Sequence, residues 1–253
     1  MRTKIIYEDA HVLVCHKPAG LATQSGRVGQ EDMVSELKKY LVSGQRGVVQ
    51  QGNSVSGVTG GVRTKTGKVS EPYLGVIHRL DQPVEGLLVF AKNKSAAAKL
   101  TTQLSKGSLN KQYYALLCGK PCAKVGEIVD YLVKEKDVAR VSQKDASEAK
   151  RAVLQYEIVK ETTTQSSEII SLADIHIDTG RFHQIRVQMA HAGCPLLGDS
   201  KYGNEHSVAI SKELGIRNVA LYAYKVEFLH PVTGKKLEFT IEPKLPGGFG
   251  NIN

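Results

Sequence analysis

Asp81 is the residue best placed to do chemistry in this chain of 253 residues. It lies in His78-Arg79-Leu80-Asp81-Gln82-Pro83-Val84-Glu85-Gly86, a short polar interruption between the apolar runs 74–77 and 87–91. An acid that close to a core needs a partner or a task. Arg186 has the complementary problem. In Arg181-Phe182-His183-Gln184-Ile185-Arg186-Val187-Gln188-Met189-Ala190, helical spacing puts Phe182, Ile185, Met189 and Ala190 on one apolar face, with Arg186 inside it. A guanidinium there needs a carboxylate unless it snorkels to solvent, and pairing it with Asp81 would satisfy both. Tyr113, in the strand-like run 111–119, alternates with Tyr114, so one tyrosine can face a cleft while the other faces a core. Taken alone, Tyr113 reads as a core residue. Glu85 is the only other acid near Asp81, which leaves a two-carboxylate glycosidase as a weaker reading. His78 and His183 are candidate general acids, but hydrogen-bonded structural histidines are the better reading.

The elements that must hold these groups follow from pattern. Runs 74–77 and 87–91 are short, aliphatic and bounded by Gly and Pro, which predicts two buried strands joined by a tight loop. Strands are also expected at 5–7, 12–15, 111–119, 153–159 and 169–177, with a hairpin from 219–229 and 236–241 about His230-Pro231-Val232-Thr233-Gly234. Amphipathic helices are predicted at 31–41, ended by Gly44, and at 95–105, stopped by Gly107. Lys17-Pro18-Ala19-Gly20 reads as a turn, with Lys17 either touching phosphate or structural. Segment 196–203 reads as a loop of turn residues. The basic stretch 43–70 carries seven glycines, too many residues for an ordinary connection, and is expected to be a flap or an excursion. No repeat or linker divides the chain, so one domain over 1–253 is expected.

Composition narrows the function. The start is charged and its apolar stretch is too short for a signal peptide, and no run approaches the ~18 apolar residues of a membrane span, so a cytoplasmic protein with no membrane partner is expected. Cys15, Cys118, Cys122 and Cys194 form neither a CxxC pair nor a Cys/His ladder, so neither a metal site nor a disulfide framework is expected. The net charge is +9, and residues 37–70 and 86–126 contain no Asp or Glu. Two acid-free basic stretches flanking Asp81 predict a polyanion partner if they share a face, and a solvated lysine surface if they do not.

Four separated stretches together resemble the RluA-type pseudouridine synthases. They are Lys17-Pro18-Ala19-Gly20, His78-Arg79-Leu80-Asp81 with Gly86-Leu87-Leu88, the run 111–119, and Gly180-Arg181-Phe182-His183-Gln184-Ile185-Arg186-Val187 followed by Gly198-Asp199 and Tyr202-Gly203. The resemblance implies an α+β fold: a mixed, largely antiparallel sheet flanked by helices, with a central cleft, no cofactor, and a structured ribosomal or transfer RNA as the partner of a monomer. It implies that Asp81 is the catalytic aspartate, that Tyr113 stacks on the target uracil and that Arg186 pairs with the aspartate. It assigns Arg79 to the gap left by the flipped base, and Arg181 and His183 to RNA binding. Because the pattern starts almost at residue 5, the small RNA-binding domain that many members carry in front is expected to be absent. Gln82 and Phe182 depart from the family pattern, at positions that bear on which RNA is chosen. The competing reading is an RNA-binding or ribosome-assembly factor without catalysis.

Overall fold

A computed structural model describes residues 1–26, 29–46, 71–246 and 249, and these form two compact units. The first comprises Met1–Asn110 and Glu227–Phe239, the second Lys111–Val226 and Thr240–Asn253. Of the predicted excursion 43–70, residues 43–46 belong to a helix and residues 47–70 lie outside the described residues.

In the first unit β1 (Lys4–Glu8), β2 (Val12–Lys17) and β4 (Glu85–Ala91) lie side by side, and β3 (Gly75–Val76) also pairs with β4; every pairing is antiparallel. Strands β2 and β4 are buried on both faces, which is why they read as continuous apolar runs rather than alternating ones. Helix α1 (Met33–Arg46) outlasts its expected end, so Gly44 does not stop it. Its start is fixed by Asp32, whose carboxylate accepts the Ser35 and Ser25 N–H groups at 2.7 Å each. Glu36 then ties the N-terminal segment down by accepting the Thr3 hydroxyl at 2.8 Å and the Thr3 N–H at 3.0 Å. Helix α2 (Lys94–Ser105) is capped by the Asn93 side chain and closes at Gly107 as expected.

In the second unit the strand order is β10, β5, β9, β8, β6, β7, where β5 is Asn110–Cys118, β6 Val125–Glu135, β7 Val138–Ser142, β8 Lys150–Thr163, β9 Ile169–Ile177 and β10 Leu221–Leu229. The ladders β5–β9, β9–β8, β8–β6 and β6–β7 are antiparallel. Strand β11 (Lys236–Thr240) pairs with β10, completing the hairpin read from the sequence, of which residues 227–239 belong to the first unit. Strands β6 and β7 were hidden in a stretch of mixed charge, because their outer positions are charged and only alternate residues such as Leu132 and Ala139 are buried. Helix α3 (Gln184–His191) is sunk into the unit, and α4 (Glu205–Glu213) opens with a capping box between Asn204 and Ser207. Mixed strands with a few helices make this an α+β protein.

Candidate active site

In the first unit the backbone around Asp81 is pinned from both sides by residues 17–23. The Thr23 hydroxyl donates to the Leu80 carbonyl at 2.9 Å and accepts the Leu80 N–H at 3.3 Å. One residue beyond the aspartate, the Gln82 carbonyl accepts the Gly20 N–H at 2.9 Å and the Lys17 ammonium at 3.0 Å. Val84 N–H donates to the Asp81 carbonyl at 3.0 Å and closes the turn. Asp81 is thereby left half-exposed on a fixed backbone, while its neighbour Leu80 is buried.

Lys17 is fully buried, which removes it as a phosphate contact. Its ammonium donates to the carbonyls of Leu21 at 2.6 Å, Gln82 at 3.0 Å and Pro18 at 3.2 Å, matching its three donors. Burial lowers its pKa to about 8, against the opposing pull of the Asp81 and Glu85 charges. Glu85 is itself engaged with His16 Nε2 at 2.9 Å, an arrangement that leaves the glycosidase reading without support. His78 is buried and its Nε2 accepts the Val89 N–H at 3.3 Å, a structural bond to β4. Arg79 is exposed.

In the second unit Tyr113 is buried on β5, opposite Ile175 of β9, with half-buried Tyr114 on the other face. Tyr114 stacks on Tyr224 with ring centroids 3.8 Å apart, so alternation along the strand does divide the two tyrosines as expected. Arg186 is buried on α3 and forks onto Asp199, with Nε at 2.7 Å from Oδ2 and Nη2 at 2.8 Å from Oδ1. Asp199 also accepts the N–H groups of Lys201 at 3.0 Å and Tyr202 at 3.2 Å. The Arg186 guanidinium carbon lies 5.2 Å from the centre of the Tyr202 ring. The segment read as a turn loop therefore supplies a buried carboxylate and an aromatic support that sequence reasoning missed. Gly198-Asp199 and Tyr202-Gly203 stand among the family-like stretches, but neither Asp199 nor Tyr202 has a role there, because turn composition does not show which charge a carboxylate will meet.

Helix α3 is held in place by its glutamines. Gln184 donates to the Val153 carbonyl at 2.9 Å and accepts the Thr179 hydroxyl at 2.8 Å and the Arg181 N–H at 3.0 Å. Gln188 donates to Asp130 at 3.1 Å. The expected apolar face needs one correction: Phe182 is 36% exposed and is not on the helix. His183 adopts a left-handed backbone (φ 54°, ψ 25°), so the regular helix starts only at Gln184 and Phe182 turns outward. Arg181 is exposed and donates from Nε to the Arg151 carbonyl at 3.0 Å.

Some lysines of the acid-free stretch 86–126 have partners within the protein. Lys92 pairs with Glu8 at 2.7 Å, Lys99 donates to the Pro231 carbonyl at 2.8 Å and Lys120 lies 3.6 Å from Glu161. Lys92 and Lys99 are thus tied to the protein, whereas the Lys120 pair is exposed and weak. Cys15, Cys118 and Cys194 are buried, and burial raises the Cys118 thiol to about 11. No helix among the described residues is long and apolar enough to cross a membrane.

Comparison with known proteins bears on both units. The family described as RNA pseudouridylate synthase matches residues 11–191. Ribosomal large subunit pseudouridine synthase D of Zymomonas mobilis is 32% identical over 243 residues, which cover 94% of this chain and 68% of that protein. Ribosomal large subunit pseudouridine synthase C of Rickettsia bellii is 31% identical, over 98% of this chain and 70% of the relative. Among solved structures, Human RNA Pseudouridylate Synthase Domain Containing 4 superposes with a TM-score of 0.69 at 22% identity, covering 94% of this chain and 88% of that one, a likeness of fold.

Proposed function

The chain belongs to the RNA pseudouridine synthases, and from that premise we propose that it isomerises a uridine of ribosomal RNA with Asp81 as catalytic carboxylate, Tyr113 as the ring under the uracil and Arg186 as the cation that keeps the carboxylate charged. The observation that carries the reading is the anchoring of the residues on either side of Asp81, by Thr23 at Leu80 and by Gly20 and Lys17 at Gln82. A carboxylate left half-exposed on a backbone fixed that firmly suits a reacting group, which must be held in place to within a fraction of an ångström. The relatives are named for the large ribosomal subunit, so large-subunit RNA is the first substrate to test.

The reaction breaks the bond from N1 to C1′, turns the uracil, joins C5 to C1′, releases the C5 hydrogen as a proton to solvent and leaves N1 to take up a proton from solvent. Its atoms balance without a co-reactant. Asp81 serves by attacking the sugar or the base, or by taking a proton from the sugar. The uridine must first leave its helix at a cost of a few kcal/mol, and stacking on Tyr113 returns about 1–3 kcal/mol. Arg79, exposed in the same loop as Asp81, would fill the gap in the RNA, while Arg181 and His183 would contact the strand.

The test is tritium release from C5-tritiated uridine in unmodified large-subunit ribosomal and transfer RNA transcripts. Wild type is expected to release tritium and Asp81→Asn to release none while binding RNA with similar affinity. Turnover by Asp81→Asn refutes the assigned residue. Tight binding without release by wild type on every transcript supports a binding factor instead.

A further inference from the structure

The second unit carries an exposed aromatic sandwich that the reaction itself does not use. Phe182 stacks on His183 with ring centroids 3.7 Å apart and planes 22° apart, which fills one face of the phenyl ring. The Lys134 ammonium lies 4.7 Å from the centre of the same ring and must therefore cover the other face. His183 is fixed from behind. Its Nδ1 lies 2.7 Å from the Tyr202 hydroxyl, which also accepts the Ala139 N–H at 2.7 Å, and the two rings meet edge-on with centroids 5.5 Å apart. A rigid ring thus backs Phe182, whereas its outer face carries the tip of an exposed lysine side chain.

A phenyl group kept at the surface, on a backbone turned outward by a left-handed histidine, adds nothing to a core. Exposed Arg181 precedes it in the chain and donates from Nε to the backbone carbonyl of exposed Arg151 at 3.0 Å. A flat apolar ring with an ammonium over its outer face and an arginine next to it in the chain matches the chemistry of a nucleotide, whose base offers a π-face and whose phosphate offers an anion. We propose that Phe182, backed by His183, is a stacking platform for an RNA base other than the target uracil, and that the base displaces the Lys134 ammonium, which transfers to a neighbouring phosphate. The inference rests on the RNA-modifying reading for the identity of the ligand, but its geometry is independent of Asp81. A carbonyl-rich or acidic peptide would satisfy the cations but not the ring.

The chain has no tryptophan, so Phe182→Trp introduces a single indole reporter at the platform. Its emission is titrated with a single-stranded 12-nucleotide RNA and with an abasic ribose-phosphate polymer of equal length. The RNA is expected to quench the indole and the abasic polymer to leave it unchanged. Phe182→Ala is expected to bind the RNA about 5- to 150-fold more weakly, the range for one stacked base, with Phe182→Tyr close to wild type and the abasic affinity unaltered. For Lys134→Ala, the slope of log affinity against log salt is expected to flatten by about 0.7, one phosphate of a single strand. Equal quenching by both polymers, or unchanged RNA affinity in Phe182→Ala, overturns the platform. An unchanged salt slope overturns the transfer of Lys134. Neither readout needs turnover, so base-dependent quenching in Phe182→Trp alongside a wild type that releases no tritium would defeat the catalytic reading alone.

Discussion

At the scale of single residues, two buried cations do different work. Arg186 is held by a bidentate pair with Asp199, both nearly inaccessible to water. Removing one member of such a pair strands the other's charge, so Asp199→Ala is expected to cost roughly 3–5 kcal/mol. Thermal unfolding should register this as a fall of about 6–20 °C. The double variant Arg186→Met with Asp199→Leu should recover much of that loss, since an apolar pair can replace a buried ion pair, yet remain inactive in tritium release. Recovery of activity along with stability would refute the role given to Arg186. Lys17 works through hydrogen bonds. Its pKa is depressed from 10.5 to about 8 by burial, so the unfolded chain binds the extra proton between those values and the folded protein gains stability as pH rises through them. The stability gap between wild type and Lys17→Met, from urea unfolding, should therefore widen from pH 8 to 10.5. A gap that narrows over this range would show that the ammonium form is the favoured one.

At the scale of elements, the site depends on short segments whose conformation few residues can adopt. Gly198 opens the loop that delivers Asp199, with φ +72°, and a Cβ there would lie on the Asn218 carbonyl. Gly198→Ala combines the left-handed penalty of roughly 1–2 kcal/mol with that backbone clash. Urea unfolding is expected to register a loss above about 2 kcal/mol, with reduced tritium release because Asp199 shifts. A neutral substitution would mean that the loop relaxes freely. The start of α1 offers a milder comparison. Although burial opposes it, the Ser25 and Ser35 N–H groups hold the Asp32 carboxyl below its ordinary value of 3.8, so its contribution is present above that pH and fades as the pH falls below it. Asp32→Ala should cost about 1 kcal/mol at about pH 7 and much less at about pH 2.

At the scale of the whole molecule, charge sets the terms of RNA binding. With a net charge of +9 and cations at Lys134, Lys136, Arg151 and Arg181 on the second unit, affinity should fall steeply with salt. Four or more phosphate contacts predict a log–log slope of about −3 or steeper, that is about 60-fold weaker binding between 50 and 200 mM KCl. Filter binding that is flat over this range would exclude a backbone-dominated interface. The engaged lysines at 92 and 99 are expected to contribute little to the slope, since each already has a short bond within the protein.

The amino-acid sequence by itself determined the reaction class, because the spaced stretches around Lys17, Asp81, Tyr113 and Arg186 are short-range patterns that survive without coordinates. It also determined the apolar strands flanking Asp81 and the alternation of Tyr113 with Tyr114, since strand period and burial are written locally. Tertiary structure alone decided which carboxylate forks onto Arg186 within the second unit, that Lys17 spends its three donors on backbone carbonyls, and that Phe182 leaves the helix face for solvent. The physical reason is common to all three. The partner of a buried charge is chosen by residues distant in sequence, and a single left-handed residue such as His183 rotates everything before it out of the helical register. Strands β6 and β7 escaped for a related reason: they bury only alternate, partly charged positions, so their strand character comes from pairing rather than from composition.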